Sequence, residues 1–348
     1  MRILFHWPTK SRDAADLDTA ALISALRGAG HDIRVVGSGL GLMNALHRVL
    51  PPHAGAWVDV TASGMAGRRL RRAWLGFSPE LIFVRAAAFH GAAARLAKAT
   101  RSSLYVTTAD RLKPAYEDFE GRLHNRGKAA ESITWRAADR VLVPSAALAE
   151  AVHADGVPRE KISVLQPGFA VPPVVSRPAP VAGGAVRIGV LARDRAGDAA
   201  TAVVAGLASA RGAARAELVV LPDDADVAAW AGVDIALYPD GGGFALTPAL
   251  LAAMAAGCAI VAADAALPRE ALTHTQTALL FDVQEPLYAW NATRWLLDEP
   301  KLRVLLGRAA RHAVEQRARG WDDVAAEVVR LAAADIAFRR RFAASRLA

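Results

Sequence analysis

Short apolar runs alternate with stretches of helical spacing along most of the chain, and this alternation predicts an α/β protein. MRILF at the start suits a buried parallel strand. ADLDTAALISALRGAGH follows with glycines at its end, where helix C-caps favour glycine, and DIRVVG is predicted as a second strand. Such a strand–helix–strand unit with short connections is the building unit of doubly wound domains. ELIFVRAA, SSLYVTT, DRVLVPS and KISVLQPG continue the pattern.

A proline-rich segment interrupts this pattern once. Residues 169–185 read FAVPPVVSRPAPVAGGA, which predicts a linker. The pattern then restarts with VRIGVLA, AELVVLP, VDIALYP, CAIVAAD and TALLF as strands, and the remainder is helical. We therefore predict a first domain over 1–170, a linker over 171–185 and a second domain over 186–324. A last helix of about 325–348 is a candidate to pack back on the first domain.

Composition narrows the class of protein. A chain of 348 residues with 53% hydrophobic residues has enough apolar surface for two packed cores. It has no long uncharged apolar run, and MRILFHWPTKSRD lacks the order of a signal peptide. The single Cys258 excludes a disulfide framework and a cysteine metal cluster, and the histidines show no metal-ligand spacing. These features predict a cytoplasmic protein that uses no metal and no other cofactor.

The positive charge lies entirely in the first half. Residues 1–170 contain 23 lysines and arginines against 15 aspartates and glutamates, whereas residues 171–348 contain 19 of each kind. A basic half is compatible with nucleic acid, anionic lipid or an acidic substrate as partner. The chain has no basic arm and no regular interleaving of aromatic and basic residues, so nucleic acid is not predicted.

One segment of this half has a pattern typical of helices at membrane surfaces. GRRLRRAWLGF, residues 67–77, combines four arginines with apolar residues at helical spacing, namely Arg68, Arg69, Arg71, Arg72, Leu70, Trp74 and Phe77. On a helix the apolar residues share one side and the arginines flank it. We therefore predict an anionic membrane surface as a partner through the four arginines and Trp74. An ordinary amphipathic helix packed on its own sheet would show the same pattern.

Several motifs, in order along almost the whole chain, resemble those of one enzyme family. ADRVLVPSAALAEAVHADGVPREKISVLQPGF resembles the segment that ends the first domain of retaining GT-B glycosyltransferases of family 4, also called group 1. VDIALYPDGGGFALTPALLAAMAAGCAIVAAD resembles their donor-site stretch, and PREALTHTQTALLFDV resembles the segment after it. The resemblance implies the GT-B fold, in which two Rossmann-like domains with parallel sheets face each other across a cleft. It also implies a hexosyltransferase that uses a nucleotide sugar.

The charged residues of the family's site are replaced in this chain. The two glutamates of the donor stretch correspond to a position near Gly242 and to Ala252, and the lysine of the diphosphate clamp corresponds to Asp198. The histidine that many members have in the first domain corresponds to Thr108 or Ala109. The resemblance therefore implies a donor site that has lost its carboxylates, its lysine and its histidine.

A phosphate site can nevertheless be predicted from the residues that remain. A glycine-rich turn before a helix binds anions through backbone N–H groups and the positive end of the helix dipole, without charged side chains. Pro248 suits the first turn of that helix. We predict that the nucleotide diphosphate binds the turn formed by Gly241, Gly242, Gly243, Phe244, Ala245, Leu246 and Thr247. Alternatively, this segment is only a loop that connects a strand to a core helix, and its glycines serve the turn.

Two arginines are predicted to complete this site. Arg193 and Arg195 follow the first strand of the second domain, and arginine binds phosphate bidentately. They would stabilise the charge on the leaving diphosphate, and Asp110 is the candidate from the first domain. Alternatively, the arginines are solvated and pair with Asp194 and Asp198.

We thus predict a retaining glycosyltransferase of polysaccharide biosynthesis. It would move a sugar from a nucleotide-diphosphate donor to a glycan or lipid-linked acceptor, in the cytoplasm or peripherally at the inner membrane face. The alternative is a catalytically inactive GT-B protein that acts as a binding or scaffolding partner, which the lost charged residues would explain.

Overall fold

The computed structural model describes residues 1–7, 14–37, 67–84, 87–108, 132–173, 184–195, 197–209, 216–239 and 248–345. The chain divides into two compact units. Unit 1 combines Met1–Gly168 with Trp321–Ala348, and unit 2 is Phe169–Gly320. Each unit has its own sheet, and the described strand pairings are all parallel. The predicted α/β class with parallel sheets is confirmed.

The sheet of unit 1 has the strand order β2-β1-β3-β4-β5-β6. Its strands are β1 (Arg2–Trp7), β2 (Asp32–Gly37), β3 (Leu81–Val84), β4 (Ser103–Thr107), β5 (Arg140–Val143) and β6 (Ile162–Val164). All four residues of β3 are buried, as expected for a strand covered on both faces. The strand order reverses between β1 and β3, which is the switch point of this unit.

The helices of unit 1 cover this sheet. They are α1 (Ala14–Gly28), α2 (67–74), α3 (Ala87–Thr100), α4 (132–137), α5 (Ala146–Ala154) and the C-terminal α12 (Trp321–Ser345). α12 buries Val324, Ala325, Val328 and Ala332 against residues of α1 and of the sheet. The end of the chain is therefore part of the first core, although all of unit 2 precedes it in sequence.

Polar contacts join α12 to the amino ends of β4 and β5. The Arg140 guanidinium donates to both carboxylate oxygens of Asp335, at 2.7 and 2.9 Å. The Tyr105 hydroxyl donates to the same carboxylate at 2.5 Å. One turn further along α12, Arg339 donates to Asp139, with a distance of 2.8 Å from Nε to Oδ1. These contacts fix the rotation of α12 on the sheet.

The sheet of unit 2 has the order β11-β10-β9-β7-β8. Its strands are β7 (Val186–Leu191), β8 (Ala216–Leu221), β9 (Ile235–Tyr238), β10 (Ala259–Ala263) and β11 (Ala278–Phe281). The helices are α6 (Asp198–Ser209), α7 (Val227–Trp230), α8 (Pro248–Ala255), α9 (Ala266–Ala271), α10 (Leu287–Asp298) and α11 (Pro300–Arg317). A hydrophobic cluster lies on each face of the sheet, one around Trp230 and Met254 and the other around Val203 and Leu296.

Within the described ranges, no helix is both long enough and apolar enough to cross a membrane.

Candidate functional site

Two neighbouring strands of unit 2 carry the predicted donor-site segments. β7 and β9 pair in parallel, with Ile188 opposite Ile235 and Val190 opposite Leu237. The chain leaves β7 towards β8 on one side and continues from β9 to β10 on the other, so the strand order reverses between them. In open parallel sheets, ligands bind outside the carboxyl ends of the strands at such a switch point.

The segment after β7 turns immediately. A 3₁₀ turn, Ala192–Asp194, follows the strand, and the Gly197 N–H donates to the Asp194 carbonyl at 3.1 Å. Arg193 lies in this turn, and its side chain is outside the described part of the structure. Arg195 comes next and is exposed, which leaves its guanidinium accessible to a ligand.

The segment after β9 leads to α8. Residues 240–247 are outside the described ranges, and with them the predicted phosphate turn of Gly241, Gly242, Gly243, Phe244, Ala245, Leu246 and Thr247. Pro248 is the first residue of α8, where its fixed φ is compatible with a helix and its missing N–H costs no hydrogen bond. Ala252, at the position of the family's second glutamate, is buried in the core. A carboxylate there would need a polar partner that the surrounding cluster of apolar side chains does not supply.

The electrostatics of the two helix N-termini beside the switch point differ. α6 begins at Asp198, whose carboxylate already lies at the positive end of its dipole. The first turn of α8 contains no acidic residue. An anion is attracted to the positive end of a helix, so the described first turn of α8 suits a phosphate group better than that of α6, where Asp198 already carries a negative charge.

An ion pair that the sequence did not predict lies at the carboxyl end of β10, the neighbour of β9. Arg269 donates to both oxygens of Asp264, and its hydrogen bond lowers the pKa of that carboxyl group. His274 accepts a hydrogen bond at Nδ1 from the Leu280 N–H, 2.9 Å away. The only sequence signal for this pair was the position of Asp264 directly after an apolar strand.

The first-domain candidate cannot be compared with the prediction, because Asp110 lies outside the described ranges. β4 ends just before it, and the Thr108 N–H donates to the Leu142 carbonyl at 3.2 Å. The serine of the DRVLVPS motif has a structural role. Ser145 is the N-cap of α5 and accepts a hydrogen bond from the Leu148 N–H at 3.1 Å.

A cavity of about 580 Å³ lies elsewhere in unit 1, between the end of α1 and the start of α12. His31 and Asp322 are among its lining residues. Burial and the charge of the amino terminus lower the pKa of His31. His31 directly precedes β2, so this cavity is at the amino ends of the strands and is separate from the switch point of the sheet.

The apolar side of residues 67–77 faces the core of unit 1. Leu70 and Phe77 are buried, and the Arg34 guanidinium lies 4.4 Å from the centroid of the Phe77 ring. Trp74 is half-buried, and its indole nitrogen is buried without a hydrogen-bond partner among the described residues. The apolar side of this helix therefore packs on its own unit, as in the alternative of an ordinary amphipathic helix. The membrane surface remains a prediction that depends on the arginines.

The residues that the structure describes include no cluster of three histidine, cysteine or carboxylate side chains that could hold a metal ion. The absence of a cofactor remains a prediction.

Comparison with solved structures shows which proteins this chain is similar to in fold. One similar solved structure is HepE from Anabaena in complex with UDP, which has 14% identity and a TM-score of 0.68 over 96% of this chain and 100% of that chain. Sucrose-phosphate synthase from Thermosynechococcus elongatus gives 15% identity and a TM-score of 0.73 over 99% of both chains. A glycosyltransferase from Rickettsia africae gives 13% identity and a TM-score of 0.71 over 96% of this chain and 98% of that chain. A search of curated protein sequences finds no match.

These similarities cover both units, so the chain has the GT-B fold. Residues 16–168 match the glycosyl transferase 4-like domain family. The resemblance to family 4 glycosyltransferases that the motifs indicated is therefore confirmed.

Proposed function

We propose that the chain transfers a sugar from a nucleotide-diphosphate donor to a glycan or lipid-linked acceptor, with retention at the anomeric carbon. The observation that carries the proposal is the adjacency of β7 and β9 at the switch point of unit 2. It brings the segment of Arg193 and Arg195 and the segment before α8 to the same edge of one sheet. A diphosphate there would meet an exposed arginine and a helix N-terminus without acidic residues.

A uridine nucleotide is the first donor to test. HepE has been crystallised with UDP and with UDP-glucose, and its fold matches 96% of the present chain. In our proposal the glycine turn 241–247 holds the phosphates through backbone N–H groups, and Arg193 and Arg195 neutralise the charge that develops on the leaving UDP.

The proposed reaction needs no strong base from the protein. The bond between the anomeric carbon and the donor phosphate breaks while a bond to the acceptor oxygen forms. The proton of the acceptor hydroxyl passes to the departing phosphate oxygen, so the substitution of the family's histidine does not stop the reaction. Asp110 is proposed to orient the acceptor hydroxyl.

Binding of UDP to the full chain tests the donor site. At one hundred times its dissociation constant, a ligand stabilises the folded protein by about 2.7 kcal/mol, which a thermal melt detects. We expect a shift with UDP and UDP-glucose that is lost in Arg193→Ala/Arg195→Ala. Arg294→Ala/Arg308→Ala is the matched control, since it removes two exposed arginines from α10 and α11. No shift with UDP, GDP or ADP would contradict the donor site.

Release of UDP from UDP-glucose separates the enzyme from the inactive alternative. Slow hydrolysis that needs Arg193 and Arg195 would support transfer chemistry. Tight binding without release of UDP, with every acceptor class supplied, would favour the scaffolding role. No contact among the described residues favours that alternative at present.

A further inference from the structure

Four arginines on α2 form a dense positive surface in unit 1. The helix turns Leu70 into the core, and its four arginines are exposed, namely Arg68, Arg69, Arg71 and Arg72. Among the described residues none of the four has a carboxylate partner, whereas nine arginines elsewhere form ion pairs. The charge of α2 is therefore available to an external anion.

The end of α12 extends this surface. Arg340 lies 3.4 Å from Glu80, which follows α2 by a few residues at the start of β3. Arg339 pairs with Asp139, whereas Arg340, in its ion pair with Glu80, and Arg341 are exposed. The ion pair thus brings the basic end of α12 beside the segment that joins α2 to β3.

Exposed apolar side chains accompany both segments. Leu75, directly after α2, is 58% exposed, and Phe338 on α12 is 70% exposed. Basic residues with exposed apolar side chains beside them fit the headgroup region of an anionic bilayer, where the charges meet phosphates and the apolar groups meet the acyl boundary. Nucleic acid would satisfy the charges and leave Leu75 without an apolar partner.

We propose that an arginine surface made of Arg68, Arg69, Arg71, Arg72, Arg340 and Arg341 docks unit 1 on anionic lipid headgroups. The attraction is electrostatic, and no helix inserts, since Leu70 of α2 is buried in the core and Trp74 is half-buried. The proposal goes beyond sugar transfer and is independent of it, because lipid binding is measured without donor or acceptor.

Co-sedimentation of the full chain with vesicles tests the proposal. The vesicles contain phosphatidylcholine with or without phosphatidylglycerol, at about 0.1 M and about 0.5 M salt. We expect binding only with phosphatidylglycerol and only at low salt. Each basic residue near such a surface contributes a factor of about five, so Arg68→Gln/Arg69→Gln/Arg71→Gln/Arg72→Gln should weaken binding at least ~100-fold.

Three further variants make the result specific. The corresponding four arginine-to-lysine substitutions keep the charge and should keep binding within a few-fold. Arg340→Gln/Arg341→Gln should weaken binding to a smaller extent. Arg294→Gln/Lys301→Gln/Arg308→Gln removes exposed charge from unit 2 and should leave binding unchanged.

Some outcomes would overturn the proposal. Equal binding by the wild type and the four-glutamine variant is one, provided that their thermal melts agree. Binding to neutral vesicles is another. Tighter binding to duplex DNA than to anionic vesicles, lost in the four-glutamine variant, would instead assign the surface to nucleic acid.

Discussion

At the scale of single residues, Asp335 is a largely buried charge that joins α12 to two strands of unit 1. Its carboxylate accepts hydrogen bonds from Arg140 and Tyr105, and the Arg140 and Asp335 side chains are only 20% and 18% exposed. Removing one partner of such a pair leaves a charge in a poorly hydrated place, which costs more than the loss of a surface ion pair.

Asp335→Asn should therefore destabilise unit 1 by about 2–4 kcal/mol, because Arg140 keeps its charge without a counter-ion. The measurement is urea unfolding followed by circular dichroism. Asp298→Asn is the control, since its pair with Arg294 is 3.6 Å long and both side chains are largely exposed. It should change stability by less than ~0.5 kcal/mol. If Asp335→Asn lost no more stability than the control, the Arg140–Asp335 pair would not hold α12 in place.

Tyr105 gives a prediction for alkaline pH. Burial, and then the hydrogen bond to Asp335, raise its pKa well above the ordinary value of a tyrosine. A raised pKa in the folded state favours the neutral phenol. The contribution of Tyr105 to the free energy of unfolding is therefore intact below about pH 10 and is lost as the pH rises further. Above that pH the unfolding free energy of the wild type should fall faster than that of Tyr105→Phe, by about 1.4 kcal/mol per pH unit.

The measurement is urea unfolding at several pH values above 10. Tyr288→Phe is the matched control, because Tyr288 is exposed on α10. Parallel slopes for the wild type and Tyr105→Phe would mean that Tyr105 ionises equally in the folded and unfolded states.

At the scale of elements, glycines set how closely helices approach. A Cβ at Gly206 on α6 would lie 2.2 Å from the Trp290 ring of α10, so the two helices pack this tightly only because the side chain is missing. Gly189 has the same role in β7, where a Cβ would lie 2.7 Å from the Trp230 ring. Both tryptophans are thereby packed against the core of unit 2.

Gly206→Ala should destabilise unit 2 by about 1–3 kcal/mol, since the indole or the helix has to shift. The measurement is thermal unfolding. Gly28→Ala at the end of α1 is the matched control. A Cβ there meets nothing within 4 Å, and its φ is not positive, so this substitution should be neutral or slightly stabilising. Equal destabilisation by both would mean that the contact with Trp290 is not the cause.

The same scale shows what the sequence could and could not predict. Apolar runs located the strands well, as with ELIFVRAA for β3 and CAIVAAD for β10, because strands buried on both faces are continuously apolar. The side chains that α2 buries could not be predicted, because an amphipathic pattern does not say what covers its apolar side. The contact of Asp335 with Arg140 joins positions 195 residues apart, and nothing local indicates it. The adjacency of β7 and β9 depends on strand order, so it too had to come from the structure.

At the scale of the whole molecule, the chain enters and leaves unit 2 at one place. The Phe169 N–H donates to the Arg319 carbonyl at 2.9 Å within unit 2, and Gly168 contacts the Trp321 ring within unit 1. Unit 2 has hydrophobic clusters on both faces of its sheet from its own residues alone. Unit 1, by contrast, draws part of its core from α12.

These facts predict different behaviour for fragments of the chain. Residues 169–320 alone should fold and melt cooperatively, because both clusters are formed by residues of unit 2. Residues 1–168 alone should not, because they lack the four apolar residues that α12 buries and the counter-charge of Asp335 for Arg140. Joining 1–168 to 321–348 through a short Gly-Ser connection should restore a cooperative melt, since Gly168 and Trp321 already touch. Circular dichroism of the three fragments makes the comparison. A cooperative melt of 1–168 by itself would show that α12 covers a core that is stable without it.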